Sequence, residues 1–401
     1  MSLNADPPSP PRIRLHFLDG LRGLAALYVV LFHIARPEKL AGVLAAATSW
    51  MNHGRYAVDI FIVLSGFCLM LPVARDSGAI RGGVGQFFRR RAMRILPPYY
   101  AALALTILLI VATQLKKHGA GGSDWSALNP GNIVAHILML HNLKIDWAQT
   151  LDPPMWSVAT EWQIYFAFPF LLLPVWKKLG GLAAVACGLI LGLIPHYLLP
   201  AGQNLDWAYP WYLALFAMGM AAASVAFSPD SRSKENLVRI PWGVATVLLG
   251  AAVVAINVIG SLETVFRGWP TDVVIGCFAT TLILYCVQRS HNQSGNSPIA
   301  LRILDSAPAR KLGEFSYSLY LMHFPLWWTM QPAFRALHLS PTKELVARCV
   351  IGIPVVLGLS YLFYLAVERP YLASRERSQK QKTQVDVTHA VVTEQTVAAG
   401  K

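Results

Sequence analysis

Residues 17–36, FLDGLRGLAALYVVLFHIAR, decide the class of fold. The run is 20 residues long and mostly apolar. A helix needs about 20 such residues to cross the hydrocarbon core of a bilayer. Asp19 and Arg36 stand near its two ends, and Arg22 and His33 lie between them. Because ionisable groups are costly inside a membrane, these two are functional candidates from the outset.

The composition extends this prediction to the whole chain. Of 401 residues, 55% are hydrophobic and 14% charged, against about 25% charged in a typical soluble protein. With a mean hydropathy of +0.45, a soluble globule would lack the polar surface to cover itself, which excludes disordered, fibrous and ordinary cytosolic classes. Ten spanning segments are predicted: Phe17–Arg36, Tyr56–Ala74, Ile95–Leu115, Trp156–Trp176, Gly180–Pro200, Leu205–Phe227, Ile240–Gly260, Pro270–Gln288, Leu312–Met330 and Leu345–Glu368.

The basic residues predict the orientation of this bundle. Most of the 34 Lys and Arg residues fall in loops on one side, which the positive-inside rule makes cytoplasmic. We therefore predict an all-α, polytopic bundle of about ten transmembrane helices with both termini cytoplasmic. It divides into a polar tail (1–14), a membrane-embedded domain (15–372) and a disordered tail (373–401). The net charge of +13 then comes mainly from basic residues that orient the helices in the membrane, and no nucleic-acid partner is expected.

The cysteines point to neither a disulfide framework nor a metal site. All five lie inside apolar runs, without a CxxC pair or a spaced Cys/His group. No bound metal is therefore predicted.

The first predicted helix carries two polar groups on one face. Arg22 and His33 are eleven residues apart, which is three turns plus about 20° of rotation and about 16 Å along the axis. One interpretation is an anion anchor and, far along the same face, a general base. The other is an arginine that extends to the membrane surface and a histidine that packs near the opposite interface.

Two carboxylates lie in other predicted spans at a depth similar to that of His33. Asp59 either fixes the tautomer of His33, as in nucleophile–base–orienter sites, or caps its own helix. Glu161 either pairs with a cation, acts as a second acid or base, or binds sugar hydroxyls. The alternative for Glu161 is a buried, neutral carboxyl group.

A basic cluster precedes the third predicted span. Arg91 and Arg94 are spaced i, i+3 and share a helix face. They are interpreted either as a phosphate clamp, because guanidinium forks match phosphate geometry, or as positive-inside anchors. Pro97 and Pro98 follow, and we expect them to interrupt the helix.

The ninth predicted span carries a polar stripe. Ser316, Tyr320 and His323 stand at i, i+4 and i+7. The serine and the histidine are about 10 Å apart along the axis, too far for a nucleophile pair. A structural or substrate-positioning network is the favoured interpretation.

Taken together, these segments resemble the acyltransferase-3 family, the membrane O-acyltransferases of bacterial surface polysaccharides. The resemblance runs from Leu15 to Leu372. It rests on LDGLRGLAALYVVLFHI, VDIFIVLSGF, the RxxR of Arg91 and Arg94, MWSVATEWQIYFAFP and FSYSLYLMHFP. Many members have a second Glu where this chain has Trp162, which weakens a mechanism based on a carboxylate pair. Some relatives also carry an SGNH-type domain, and no appended domain of that type is expected here.

The resemblance implies an enzyme that moves an acyl group, usually acetyl, from cytoplasmic acyl-CoA to a hydroxyl of a surface or exported glycan. In such an enzyme, Arg22, Arg91 and Arg94 would bind the CoA phosphates. His33, oriented by Asp59 or Glu161, would either act as the general base, which we favour, or accept the acyl group transiently. Acyl-CoA is a co-substrate, and no permanently bound cofactor is expected.

The expected location is the bacterial inner (plasma) membrane, with the lipid bilayer and polysaccharide-assembly proteins as partners. The rival interpretations are a transporter or exporter and a non-catalytic assembly partner. Transporters often show inverted repeats, and the sequence shows no such internal symmetry.

Overall fold

A computed structural model describes residues 15–35, 40, 42–118, 125–200, 203–259, 262, 266, 268–291 and 297–371. The regular structure in these ranges is helical, which confirms the all-α class. The two predicted tails, 1–14 and 373–401, lie outside the described residues. The long helices, numbered here in chain order, are α1 His16–Ile34, α2 Arg55–Arg75, α3 Gly83–His118, α4 Pro153–Leu179, α5 Gly181–Leu198, α6 Tyr212–Phe227, α7 Trp242–Val258, α8 Trp269–His291, α9 Ser316–Ala336 and α10 Pro341–Tyr371.

Each predicted span coincides with one of these helices. Within the described ranges, eight helices are by themselves long and apolar enough to cross a membrane, and α7 makes a ninth when joined to the helix before it. That preceding helix, Ser233–Arg239, meets α7 at an angle of 68°. Pro241 lies at the break, where a proline disfavours a continuous helix.

The ninth predicted span is displaced along the chain. It was expected at Leu312–Met330, whereas α9 runs from Ser316 to Ala336. Leu312 belongs instead to a separate short helix, Ala307–Glu314, which packs against α1. Polar side chains lower the hydropathy of α9, and those of its first half, such as Ser318 and His323, are mostly buried within the bundle.

The expectation that Pro97 and Pro98 interrupt α3 was wrong. The helix continues through both prolines over 36 residues. Prolines are tolerated in membrane helices where neighbouring helices supply hydrogen bonds to the backbone. Here the prolines leave the carbonyl oxygens of Met93 and Arg94 without an N–H donor. The neighbouring carbonyl oxygen of Ile95 accepts a 3.1 Å hydrogen bond from the Tyr317 hydroxyl, which ties this turn of α3 to α9.

The centre of the bundle is the crossing of α2 and α6, where two glycines let the backbones touch. A Cβ on Gly66 would lie 2.0 Å from the carbonyl oxygen of Phe216, and one on Gly219 would lie 2.0 Å from that of Val63. Small residues allow such close approach between membrane helices. This crossing fixes α2, and with it the residues that α2 contributes to the site described below.

The N-terminal half of α1 is held in a similar way. A Cβ on Gly20 would meet the carbonyl oxygen of Leu304 at 1.8 Å, and one on Gly313 would meet that of Asp19 at 2.0 Å. The helix Ala307–Glu314 therefore lies directly against the backbone of α1. Arg22, one turn further along α1, is positioned by this contact.

The periphery of the bundle is apolar. Leu182 on α5 is 86% exposed, Val258 on α7 is 76% exposed and Leu362 on α10 is 60% exposed. Extended apolar surfaces of this kind are unfavourable in water and match the hydrocarbon of a bilayer. The fold is that of a multi-pass membrane protein.

Candidate active site

A narrow cavity of about 110 Å³ lies among α1, α2, α3, α4 and α9, and we call it the arginine cavity. It brings together six of the nine residues singled out in the sequence, although they come from four different helices. Its lining is Arg22, Val58, Phe61, Ile62, Ser65, Cys68, Arg91, Arg94, Ile95, Ser157, Val158, Glu161, Tyr165, Ser316, Tyr317 and Tyr320.

Arg22 is held from two sides in this cavity. Its Nη1 donates to Oδ1 of Asp19, one turn earlier on α1, at 3.3 Å. Its Nη2 donates to Sγ of Cys68 on α2, at 2.9 Å. These contacts fix the direction of the guanidinium group, which the sequence did not define.

Arg91 and Arg94 line the same cavity, as their shared helix face predicts. Glu368 of α10 lies within electrostatic range of Arg94, behind the lining, and accepts a hydrogen bond of 2.5 Å from the Ser318 hydroxyl. The lining itself thus sets three guanidinium groups against one carboxylate, that of Glu161. The excess positive charge suits a bound anion such as a phosphate.

Glu161 is the acidic side chain of this lining. It accepts a 2.6 Å hydrogen bond from the Tyr165 hydroxyl, which lies 3.0 Å from the Ser65 hydroxyl. Tyr165 and Ser157 were not among the predicted site residues, although both stand four residues from Glu161 on the same face of α4. That i, i+4 spacing was the available signal.

The polar stripe of α9 is divided between two environments. Tyr320 lines the arginine cavity, and its hydroxyl donates to the carbonyl oxygen of Pro154 at 3.0 Å and lies 2.6 Å from that of Ser157. Ser316 also lines it and donates to the carbonyl oxygen of Gly313 at 3.0 Å. His323, one turn further on, is fully buried and faces α1.

A larger cavity, of about 570 Å³, lies where α1 ends, and we call it the histidine cavity. His33 forms part of its wall, and the second half of α9 forms most of the remainder. Its lining is Phe32, His33, Phe324, Trp327, Trp328, Gln331, Phe334, Arg335, His338, Leu339, Glu344 and Arg348. The lining residues from α9 continue the helical face that begins near His323. The polar stripe predicted from the sequence ended at His323 and did not include them.

His33 and His323 are in direct contact, and their hydrogen bonds define their tautomers. Nδ1 of His323 lies 2.6 Å from the carbonyl oxygen of Tyr320, which accepts only, so this nitrogen carries a proton. In the neutral ring, Nε2 of His323 is then an acceptor. It lies 3.1 Å from Nδ1 of His33, which is also 3.0 Å from the carbonyl oxygen of Val29. Nδ1 of His33 therefore carries the proton, and Nε2 is the basic nitrogen of the neutral ring.

Asp59 lies in a cluster with different neighbours. It is fully buried beside Arg55, Tyr212 and Asp272. Asp272 accepts hydrogen bonds of 2.8 Å from Arg55 and from the indole nitrogen of Trp211. The structure therefore supplies an imidazole partner for His33 and a separate cluster for Asp59, and the orienting role of Asp59 stays a prediction.

A second buried polar cluster lies in the connection between α3 and α4. The rings of His136 and His141 stack with centroids 3.9 Å apart, and both are fully buried. Burial lowers the pKa of His136 to about 4 and that of His141 to about 3. Burial also raises the pKa of Asp152 well above its usual range. Nowhere in the described part of the chain do three or more His, Cys, Asp or Glu side chains form a group that fits a metal ion.

Comparison with known proteins agrees with this arrangement. The family model described as "Acyltransferase domain", of the acyltransferase-3 type, matches residues 15–365. The chain is 28% identical to acyltransferase MdmB of Streptomyces mycarofaciens over 79% of this chain and 80% of that protein. It is 23% identical to peptidoglycan O-acetyltransferase OatA of Listeria monocytogenes, over 88% of this chain and 55% of that one.

A third relative is O-acetyltransferase OatA of Staphylococcus aureus, which is 21% identical over 77% of this chain and 50% of its own length. The chain thus spans about half the length of the two O-acetyltransferases. No solved structure gave a significant match. The family model covers most of the helical bundle and both cavities, and it decides against the transporter interpretation. The chain belongs to the acyltransferase-3 family, and it is a membrane-embedded O-acyltransferase.

Proposed function

We propose that this protein transfers an acyl group, typically acetyl, from cytoplasmic acyl-CoA to a hydroxyl of a surface or exported glycan at the bacterial plasma membrane. The observation that carries the proposal is the arrangement along α1. Arg22 lies in the arginine cavity and His33 in the wall of the histidine cavity, about 16 Å further along the helix axis. A long, flexible donor with phosphates at one end fits that separation. The acetyl group and the glycan are suggested by the O-acetyltransferase relatives.

The arginine cavity is the proposed donor site. Arg22, Arg91 and Arg94 line it together with one carboxylate, that of Glu161, and guanidinium groups match the geometry of a phosphate. A volume of about 110 Å³ is too small for a nucleotide but suits an extended thioester arm. In this proposal Glu161 belongs to the donor side, where it lies within electrostatic range of Arg22. Acyl-CoA enters and leaves as CoA, so no resident cofactor is involved.

His33 is the proposed general base. Its Nε2 takes the proton of the acceptor hydroxyl while the hydroxyl oxygen attacks the thioester carbonyl carbon. The carbon–sulfur bond then breaks, and the CoA thiolate recovers the proton from His33 to leave as a thiol. His323 acts as a positioning residue, because its Nε2 accepts from Nδ1 of His33 and directs the basic nitrogen of His33 to the substrate.

The first test is acyl transfer from radiolabelled acetyl-CoA in membranes that contain His33→Ala. We expect transfer to be lost while the amount of inserted protein is unchanged. His291→Ala is the matched control, because His291 makes the same bond from Nδ1 to the carbonyl oxygen four residues earlier, at 2.8 Å, outside both cavities. Turnover by His33→Ala at the wild-type rate would refute the mechanism.

A second test addresses the donor site. Replacing Arg91 and Arg94 with Ala should raise the KM for acetyl-CoA at least tenfold, because hydrogen bonds to charged groups contribute about 1.5–3 kcal/mol each. Arg239→Ala is the control, since Arg239 is 77% exposed and paired with Glu235. An unchanged KM in the double variant would mean that these arginines serve only to orient α3.

The cytoplasmic origin of the donor needs its own measurement. Acetyl-CoA is a large polyanion that does not cross a bilayer. Inside-out vesicles should therefore transfer label from added acetyl-CoA, and right-side-out vesicles should not. The reverse pattern would place the donor site on the opposite face of the membrane and would contradict the predicted cytoplasmic termini.

A further inference from the structure

The histidine cavity has the size and location of a second substrate site. Its volume of about 570 Å³ falls within the range of about 300–1,000 Å³ typical of small-molecule sites. It is about five times larger than the arginine cavity. Tyr320 lines the arginine cavity, its carbonyl oxygen binds His323, and His323 contacts His33 in the wall of the histidine cavity. The two cavities are thus linked through one turn of α9 and this histidine pair.

One of the two arginines that line the histidine cavity is paired with a carboxylate. Arg348 forms an ion pair with Glu344, donates to the carbonyl oxygen of Ile34 at 3.3 Å and lies over the ring of Trp327 at 5.2 Å. The guanidinium group of Arg348 is therefore held by contacts within the protein. Arg335, the other arginine of this lining, is exposed. Three arginines line the arginine cavity, and one of them, Arg22, is paired with Asp19, so a phosphate-bearing donor would meet more guanidinium groups there.

The remaining lining combines aromatic faces with polar groups. Phe324, Trp328 and Gln331 stand at i, i+4 and i+7 on α9, and all three are half-buried. Trp327, by contrast, is 3% exposed and covered by Phe334 and Arg348. A sugar ring has apolar C–H faces and hydroxyls that both donate and accept. An aromatic surface followed one turn later by an amide matches that chemistry.

We propose that the histidine cavity is the acceptor site and takes a sugar unit. The ring lies against Trp328, a hydroxyl meets Gln331, and the hydroxyl to be acylated meets Nε2 of His33. This inference rests on the proposed function and specifies where its second substrate binds. Donor and acceptor then approach His33 from different cavities, so the acceptor does not have to displace the donor.

Photolabelling of the full-length protein in detergent tests the site independently of turnover. The probe is a methyl glucoside that carries a diazirine, and mass spectrometry locates the label. We expect label in the segment 324–338, displaced by excess methyl glucoside. Label elsewhere, no label, displacement by CoA instead of glucoside, or equal labelling by an alkyl alcohol diazirine of similar size would each overturn the proposal.

Steady-state kinetics of matched variants provide a second test of the acceptor site. Trp328→Ala should raise the KM for methyl glucoside roughly tenfold and leave the KM for acetyl-CoA unchanged. Trp328→Phe retains an aromatic face and should lie between that variant and wild type. Trp125→Ala, in the connection between α3 and α4 and 40% exposed, is the control and should change neither KM. A rise in the acetyl-CoA KM alone would assign the cavity to the donor.

Failure of this inference and failure of the proposed function give different results. If the wild-type protein transfers no acetyl group to any hydroxyl, the proposed function is refuted. If it transfers acetyl while the glucoside probe labels another part of the chain, the proposed function stands and the acceptor site lies elsewhere.

Discussion

Replacing His323 tests the contact between the two histidines most directly. His323→Met keeps a side chain of similar length in the buried interior of α9 but removes one of the two acceptors near the Nδ1 proton of His33; the other is the carbonyl oxygen of Val29, at 3.0 Å. His323→Gln keeps an acceptor oxygen at nearly the same reach. If His323 acts through hydrogen bonding, the glutamine variant should retain activity that the methionine variant loses.

The magnitude follows from the geometry. The bond between Nε2 of His323 and Nδ1 of His33 is 3.1 Å long, and it becomes charge-assisted when His33 takes up the substrate proton. Hydrogen bonds to charged groups contribute about 1.5–3 kcal/mol, and about 1.4 kcal/mol changes a rate tenfold. We therefore expect kcat to fall roughly 10- to 150-fold in His323→Met and less than about threefold in His323→Gln. KM for acetyl-CoA should not change, because His323 is not in the lining of the arginine cavity.

The assay is steady-state acetyl transfer by purified protein in detergent, with folding checked by thermal unfolding. His291→Met is the control for removing a histidine from another helix, at an exposed position outside both cavities. Equal losses in the methionine and glutamine variants would mean that packing, not hydrogen bonding, is what His323 supplies. Full activity in His323→Met would refute the positioning role altogether.

Further predictions concern stability and charge. Gly66→Ala should lower the melting temperature markedly, because its Cβ would lie 2.0 Å from a backbone oxygen of α6 and overpacking costs at least about 1–3 kcal/mol. The control is Gly358→Ala, which has open space around it. Equal melting temperatures of the two variants would contradict the close helix crossing. Burial lowers the pKa of His136 to about 4 and that of His141 to about 3. Below pH 6.5, their ordinary pKa, the unfolded chain therefore binds more protons than the folded chain does. The free energy of unfolding should then fall as the pH drops from 6.5 toward 4. The melting temperature at pH 7.5 should exceed that at pH 5, and an equal drop in a variant with both histidines replaced by Gln would assign it to other groups. Glu161→Gln should lower the KM for acetyl-CoA severalfold, since one negative charge near the phosphates is removed; a higher KM would mean that the carboxylate positions the donor site.

The sequence was most informative where the signal lies within one helix. The ten apolar runs, the shared face of Arg91 and Arg94, and the distance from Arg22 to His33 all depend on helical geometry alone. The same rule would have found Tyr165 next to Glu161, and it would have found Arg55 four residues before Asp59.

Contacts between helices were out of reach of that reasoning. His33 and His323 are 290 residues apart in the chain, and Arg55 and Asp272 are 217 apart. Which helices become neighbours is decided by close packing, such as the glycine crossings, and a single sequence carries no period that reports it. The depth argument that paired Asp59 with His33 could not specify which neighbouring helix each of them faces.

The glycine crossing of α2 and α6 also bears on how the protein is made. At about 5–20 residues per second, the roughly 150 residues between Arg75 and Phe227 take some 8–30 s to synthesise. Throughout that interval α2 lies in the bilayer with Gly66 uncovered and with Asp59 lacking Tyr212, its polar neighbour on α6. A carboxyl group so placed is costly in lipid. We therefore expect the insertion machinery to keep these polar and close-packing surfaces of the early helices away from lipid until α6 is made. Mutations in α6 are expected to leave α2 accessible to membrane proteases for longer.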